Sequence, residues 1–357
     1  MLRTVVILLM AHLSLLCFGQ TSTPKYSNEF LTLGVGGRGL ALSGSLTSQV
    51  NDVTSGYWNP AGLTYLGSRY EISLMHAEYF AGIAKYDYLA FASKIDSVST
   101  LGVSIIRFAI DDIPDTRFLY DANGAINYDN IRFFSAADYA FLFSYSRKLP
   151  VLNDLRVGAN FKVIHRIAGE FANAWGFGLD VGGQMNIKKW QLGVMLKDIT
   201  GTFNAWSHNT ELVADVYAQT GNEIPSNSVE VTLPKAIVGV SRYFKIKTKF
   251  GVQPSIDLIS TFDGKRNTIL KSGFYSLDPT LGLEVNYMKI AYLRMGMGNI
   301  QEEKDFDGSK SYILQTNFGL GIHLKKVTLD YALTDIGDFS AALYSHVFSL
   351  KVSLNGN

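Results

Sequence analysis

Several groups of residues in this chain have the types and spacing that chemistry requires. Gly34-Val35-Gly36-Gly37-Arg38-Gly39 matches the G-x-G-x-x-G pattern that cradles a dinucleotide pyrophosphate. That chemistry needs the glycines between a strand and a helix of a βαβ unit, and no helical period follows at the right place. The run therefore reads as backbone freedom, and no cofactor is expected. Glu303, Asp305, Asp307 and Gly308 imitate the first half of a calcium loop, but the position of the bidentate ligand falls on Leu314. Asp111, Asp112 and Asp115, and Asp121 with Asn123, Asp129 and Asn130, read in the same way as solvated acidic loops.

The histidines offer little more. His76, His165, His208, His323 and His346 contain no pair at the i, i+4 spacing of a helical zinc site. His165 and His323 fall in strand-like segments, where the lumen side is expected. A lipid-facing Ser and His on neighbouring strands, as a barrel phospholipase would need, has no signature here. No catalytic and no metal-ligating residue is assigned, and the chain is expected not to be an enzyme. Arg38 is the charge of most interest, because a guanidinium in an enclosed setting needs a carboxylate. Asp52 is its nearest candidate in sequence, with Asp180 and Glu284 as alternatives.

The elements that would position these residues are dominated by period two. Val157, Ala159, Phe161 and Val163 alternate with Gly158, Asn160 and Lys162, and Trp175, Phe177, Leu179 and Val181 with Gly176, Gly178, Asp180 and Gly182. Phe318, Leu320, Ile322 and Leu324 face away from Asn317, Gly319, Gly321 and His323. Phe348, Leu350, Val352 and Leu354 face away from Ser349, Lys351 and Ser353. Such alternation makes strands with one oily and one polar face. The spacing predicts strands at 69–76, 86–95, 99–110, 137–148, 154–168, 173–187, 189–199, 232–245, 247–261, 279–287, 289–299, 310–324, 326–334 and 345–354.

Periodicity alone cannot separate a soluble sandwich, oily inside, from a transmembrane barrel, oily outside. Connection lengths decide. They are short after the even-numbered strands (at Lys188, Ile246, Met288 and Lys325, for example). They are long after most odd-numbered ones, at 111–136, 200–231, 262–278, 300–309 and 335–344. This is the layout of an outer-membrane barrel, with short turns and both termini periplasmic and long loops extracellular. Closure also gives every strand a neighbour, so no edge meets lipid. Trp190, Tyr243, Tyr287 and Tyr331 lie near the short turns, where an aromatic girdle belongs.

Composition agrees. Charged residues are 18% of the 357, aromatics 13%, and glycines number 33. The formal net charge of +1 suggests no nucleic-acid partner. Residues 1–19 read as a secretory signal peptide: Arg3, an apolar core from Val5 to Phe18, and Cys17 and Gly19 at the small positions before cleavage. Its removal would leave no cysteine, and so no thiol chemistry or disulfide.

Residues 20–68 precede the strands and do not alternate. They could not stay a free tail without finding cover for Phe30, Leu31, Leu33, Leu40, Leu42, Tyr57 and Trp58. The lumen of a fourteen-strand barrel would supply it. Within "TSGYWNPAGLTYLG" (54–67), Pro60 keeps Asn59 out of helical conformation and fixes a turn that Gly62 lets continue.

The run "GVGGRGLALSGSLTSQVNDVTSGYWNPAGL" resembles the start of FadL-like outer-membrane proteins, and particularly their PorV/PorQ branch. The matching residues are Gly36, Arg38, Gly39, Gly44, Asp52, Asn59, Pro60, Ala61, Gly62 and Leu63. "EYFAGIAKYDYLAFA", "FSAADYAFLFSYSRKL", "LRVGANFKVIHR" and the closing "LDYALTDIGDFSAALYSHVFSLKVSL" extend the similarity. It implies an all-β, 14-stranded antiparallel transmembrane barrel at 69–357, with 20–68 as a hatch in its lumen. It further implies an accessory of type IX secretion that docks with a translocon barrel. Such an accessory receives secreted proteins through their C-terminal signal domains. The alternative from the same superfamily is a channel for hydrophobic small molecules. Outer-membrane lipid is a partner in either case.

The long loops have most freedom to encode binding. Phe118, Tyr120, Tyr128, Phe133 and Phe134 in the first, with Trp206, Val213 and Tyr217 in the second, are the candidate partner-binding residues. They could equally form a lid.

Overall fold

The computed structural model describes residues 27–152, 155–221, 223, 227–273, 275–304, 308–334 and 344–355. The expected signal peptide (1–19) and residues 305–307 of the acidic run at 303–308 lie outside them.

Fourteen antiparallel staves form the wall. They are β1 (Tyr70–Tyr79), β2 (Ala84–Lys94), β3 (Ser99–Asp115), β4 (Arg132–Lys148), β5 (Arg156–Ala168), β6 (Ala172–Ile187) and β7 (Trp190–Lys197). The circuit continues with β8 (Lys235–Arg242), β9 (Phe250–Thr261), β10 (Ser276–Tyr287), β11 (Ala291–Lys304), β12 (Lys310–Leu324), β13 (Val327–Thr334) and β14 (Ser345–Leu354). Each pairs with its neighbours, and β14 returns to β1 from Tyr70↔Leu354 to Glu78↔His346, which closes the cylinder.

Burial is inverted relative to a soluble sandwich. On the outward rows Phe161, Leu293, Leu320 and Phe348 are 45–62% exposed, while Asn160, Lys162, Asp180, Glu284 and Arg294 on inward rows are 1–4% exposed. Oily residues outside and polar ones inside are what a bilayer solvent selects.

The wall has two irregularities. A bulge between Ile110 and Ile113 lets β3 and β4 continue to Asp115 and Arg132, beyond the expected limits of 110 and 137. Phe133 and Phe134 are therefore strand residues, not loop residues. The second irregularity breaks staves β7 and β8 at one level. Beyond Lys197 the chain turns at Asp198 (φ 56°) and resumes as Thr202–His208, which pairs with β6 on one side and with Ser228–Thr232 on the other. Trp206, expected in a loop, lies in this continuation.

Residues 27–66 fold into short pieces: a 3₁₀ turn at Glu29–Leu31, helices α1 (Gly37–Ala41) and α2 (Ser55–Trp58), and a 3₁₀ run at Pro60–Tyr65. They bond to inward groups on β5, β6, β9, β10, β12 and β14, which surround them. A segment touching staves all round a closed wall lies inside it. Its apolar side chains (Phe30, Val35, Leu40, Val53, Tyr57, Leu63) form the main core with Met75, Tyr79, Tyr86, Ile106, Leu142 and Ile164.

Candidate functional site

The N-terminal segment is keyed into the wall at Asn59. This residue is fully buried and extended (φ −163°, ψ 105°), as the following Pro60 requires. Its Nδ2 donates to Thr47 O (2.8 Å), to Gly183 O of β6 (3.2 Å) and to Val194 O of β7 (3.3 Å), while Oδ1 accepts from Ala61 N (3.2 Å). The turn fits only because side chains are missing around it. A Cβ on Gly62 would lie 2.4 Å from Val50 O, and one on Gly182 of β6 would lie 2.1 Å from Asn59 Oδ1. Ala61 and Leu63 are buried in the same turn.

Arg38 meets Glu284 of β10 (Nε–Oε2 3.0 Å), not Asp52. Its Nη1 also donates to Asn51 Oδ1 (3.0 Å). Glu284 is shared with Arg294 (2.7 Å), which also holds Asp330 of β13 (2.7 Å). Of the proposed carboxylates, the remote Glu284 is the partner, because Asp52 is taken by Lys351 of β14 at 2.6 Å. Burial alone would weaken the Arg38 proton, but Glu284 and then Asp52 outweigh it and raise its pKa. Burial alone would likewise raise the Asp52 carboxyl. Lys351 and then Arg38 outweigh burial and hold it well below the usual carboxylate range. Gly36 and Gly39 serve conformation and close packing: Gly36 has φ 77°, and a Cβ on Gly39 would lie 2.6 Å from the Trp58 ring. Gly44 (φ 75°) faces the same ring. The Gly34–Gly39 run ends in α1 but follows no strand, so it lacks the dinucleotide setting.

Toward the long-loop end a cavity of about 560 Å³ lies between this segment and the staves. Leu31, Leu33, Leu40, Tyr57, Trp58, Ile237 and Ile259 give it apolar walls. Lys197 and Lys235 also line it, directly opposite each other on β7 and β8, just below the break in those staves. Neither ammonium has a carboxylate within 4.0 Å among the described residues, and the Lys197 ammonium stands 4.3 Å from the Tyr57 ring centroid. Lys162, close by, is neutralised by Asp180 (2.7 Å) and Asp198. Spacing along the chain carries no sign of the Lys197–Lys235 pair, since 37 intervening residues separate partners that only stave pairing brings together.

The loop aromatics are dispersed. Phe118, Tyr120, Tyr128 and Phe133 are 43–73% exposed at the long-loop end. Phe134 packs edge-on to Phe171 (5.0 Å). Tyr217 lies in the helix Thr210–Thr220, and the Val213 side chain is outside the described set. His165 points outward and stacks on Trp175 (4.1 Å), against the lumenal placement expected of it. Among the described residues no three His, Cys, Asp or Glu side chains group as a metal site.

No family profile matches the sequence, and no curated protein matches it. Solved structures do. The toluene transporter TbuX of Ralstonia pickettii aligns over 90% of this chain and 99% of its own, with TM-score 0.52 and 12% identity. The monoaromatic hydrocarbon channel CymD aligns over 91% and 98% (TM-score 0.56, 13% identity). The toluene transporter TodX of P. putida aligns over 91% and 99% (TM-score 0.55, 10% identity). The chain therefore has the fold of these transporters and channels, a closed 14-stranded antiparallel outer-membrane β-barrel.

Proposed function

We propose that the protein is an outer-membrane channel for hydrophobic small molecules, with residues 27–68 as its hatch. The 560 Å³ cavity carries the reading: it has the size of a small-molecule site, and Leu31, Leu33, Leu40, Tyr57, Trp58, Ile237 and Ile259 form an apolar patch within a lining otherwise rich in polar and charged side chains. A guest entering from the long loops, taken as extracellular, would rest on Tyr57 and Trp58. Any anionic end would find Lys197 and Lys235. The irregularity in β7 and β8 beside those lysines is where a sideways exit would have to open, and the hatch beneath is where an axial one would. The hydrocarbon channels of similar fold support this reading over the secretion reading.

The test is binding of an apolar fluorescent probe to the detergent-solubilised protein, followed through the probe's own emission. Ile237→Trp fills the cavity and should abolish binding, whereas Leu293→Trp on the outer wall should not. Equal binding by both variants would place the guest elsewhere.

The type IX accessory reading, with its translocon and C-terminal-signal partners, keeps one observation: Tyr120, Tyr128 and Phe133 are 64–73% exposed at the loop end. Retrieval of the tagged protein from its own outer membrane decides. A lone barrel removes this reading, and a co-purifying giant barrel with secreted proteins establishes it.

A further inference from the structure

The outer wall is not uniform. On β8–β12 the outward rows are oily through the band: Val238 and Val240, Ile256 and Leu258, Leu281 and Leu283, Leu293 and Met295, Phe318 and Leu320. On β1–β3 the outward rows turn ionisable. His76 Nδ1 meets Asp87 Oδ1 (2.7 Å), and Asp87 Oδ2 accepts from Arg107 (3.2 Å), so one polar chain crosses three adjacent staves. Above it stand Glu78 and Lys85, in register with each other and 59% and 42% exposed in their side chains. Lys85 also reaches Asp111 at the β3 bulge (2.9 Å). Above these in turn, the β1–β2 turn exposes Phe80 (45%) and Ile83 (63%), oily groups where a surface turn is ordinarily polar.

Depth makes this arrangement costly in lipid. His76 is six residues beyond Tyr70, so it stands only about 15 Å above the short-turn end for a strand rising ~3.3 Å per residue at ~40° tilt. The oily band of such barrels is about 25 Å tall. Asp87 and Arg107 therefore fall inside it, where a lipid-facing charge is costly, more so for a cation than for an anion.

We propose that this sector, centred on the β1–β2 hairpin, is a two-fold interface with a second copy of the same chain. The charges argue for that occupant. A two-fold axis along the bilayer normal brings two copies together at equal depth. Glu78 of each then faces Lys85 of the other, because the two residues already share one level. Self-complementarity of this kind is what an isologous interface requires. Carboxylates (Glu78, Asp87, Asp111) match or exceed cations (Lys85, Arg107) here, so an anionic lipid headgroup has little to gain. The same axis brings the Phe80 and Ile83 tips together and removes them from water.

The test uses the full chain in its membrane, with Cys17 replaced by Ser. Ile83→Cys should form a dimer with a short bifunctional maleimide, about tenfold more than Leu293→Cys on the oily wall. E78R alone and K85E alone should each lose the dimer while keeping the heat-modifiable mobility of a folded barrel. Co-expressed, the two variants should pair with each other but not with themselves. In the mixed pair the introduced arginine of one copy meets the introduced glutamate of the other, and the remaining Lys85 meets the remaining Glu78. Monomers throughout, equal cross-linking at both cysteines, no rescue in the mixed pair, or cross-links only to a different protein or to lipid would overturn the proposal.

Discussion

Asn59→Ala is the sharpest perturbation of the lumenal segment. The strongest of its bonds, to Thr47 O at 2.8 Å, is a buried neutral hydrogen bond with a net value of about 1 kcal/mol. Its Oδ1 caps the run that starts at Pro60 by accepting from Ala61 N, and loss of an N-cap costs about 1 kcal/mol. The two longer bonds to Gly183 O and Val194 O add less, since strand carbonyls have other partners. The void left at a fully buried site adds more, for a total of about 2–4 kcal/mol. At about 1.4 kcal/mol per decade, the amides of Gly62 and Leu66 should exchange with solvent about 30 to 1000 times faster. The wall amides should not change, because no stave bond is lost. Asn127→Ala is the control. Asn127 makes the same local bond, accepting from Asp129 N (3.1 Å), but in an exposed loop, and its loss should cost no more than about 0.5 kcal/mol. Exchange at Gly62 and Leu66 as slow as in the parent would refute the assignment of Asn59 as the key.

Two further outcomes follow from the same contacts. Asp52 is held below its ordinary pKa of 3.8, so its ion pair stabilises the folded segment above that pH and loses its effect as the pH falls through the folded value. Protection of the 50–58 amides should therefore hold from neutral pH to about 4 and fall only in stronger acid; an Asp52→Asn protein that keeps this acid-dependent loss would exclude Asp52 as its source. Ser43 accepts from Asn317 of β12 at 2.8 Å, so a bridged S43C/N317C pair should stop probe passage and release it on reduction, and passage through the bridged protein would show that this side need not open.

Much of the architecture is legible in the alternation, because the oily and polar rows of fourteen staves are each long enough to reveal period two. The errors have physical causes. The strand expected at 69–76 stops at His76, yet β1 runs to Tyr79 and β2 begins at Ala84. His76, Glu78, Lys85 and Asp87 stay on the outward row but stop being oily, so a pattern reading ends where the pairing does not. Phe133 and Phe134 escape recognition as strand residues because the bulge at Asp111 and Asp112 interrupts the facing strand. Trp206 escapes because the turn at Asp198–Gly201 hides the return to β6. Arg38 is legible as a buried cation, but its partner is set by barrel closure: Glu284 lies 246 residues away, whereas Asp52 is near in sequence and committed to Lys351.

The contacts of the lumenal segment are also divided by side, and the division bears on how it could move. Toward β1–β5 the attachment is largely apolar, through Tyr57, Leu63 and Val53 against Tyr86, Ile106, Leu142 and Ile164. Toward β8, β9, β10 and β12 it is polar: Ser48 with Ser241, Thr47 with Asp257, Arg38 with Glu284, and Ser43 with Asn317. Water entering a lumen can replace the hydroxyl and amide partners at little net cost, because the net value of such a bond is small. On this side only the Arg38–Glu284 pair and the bond to the Asp257 carboxylate hold strongly. Water cannot replace an apolar contact, whose separation costs about 25 cal/mol for every Å² exposed. A segment attached in this way parts first along its polar side and turns about its apolar one. That side is where the cavity, the paired lysines and the break in β7 and β8 already lie, so the cheapest motion of the segment enlarges the space that a guest would use.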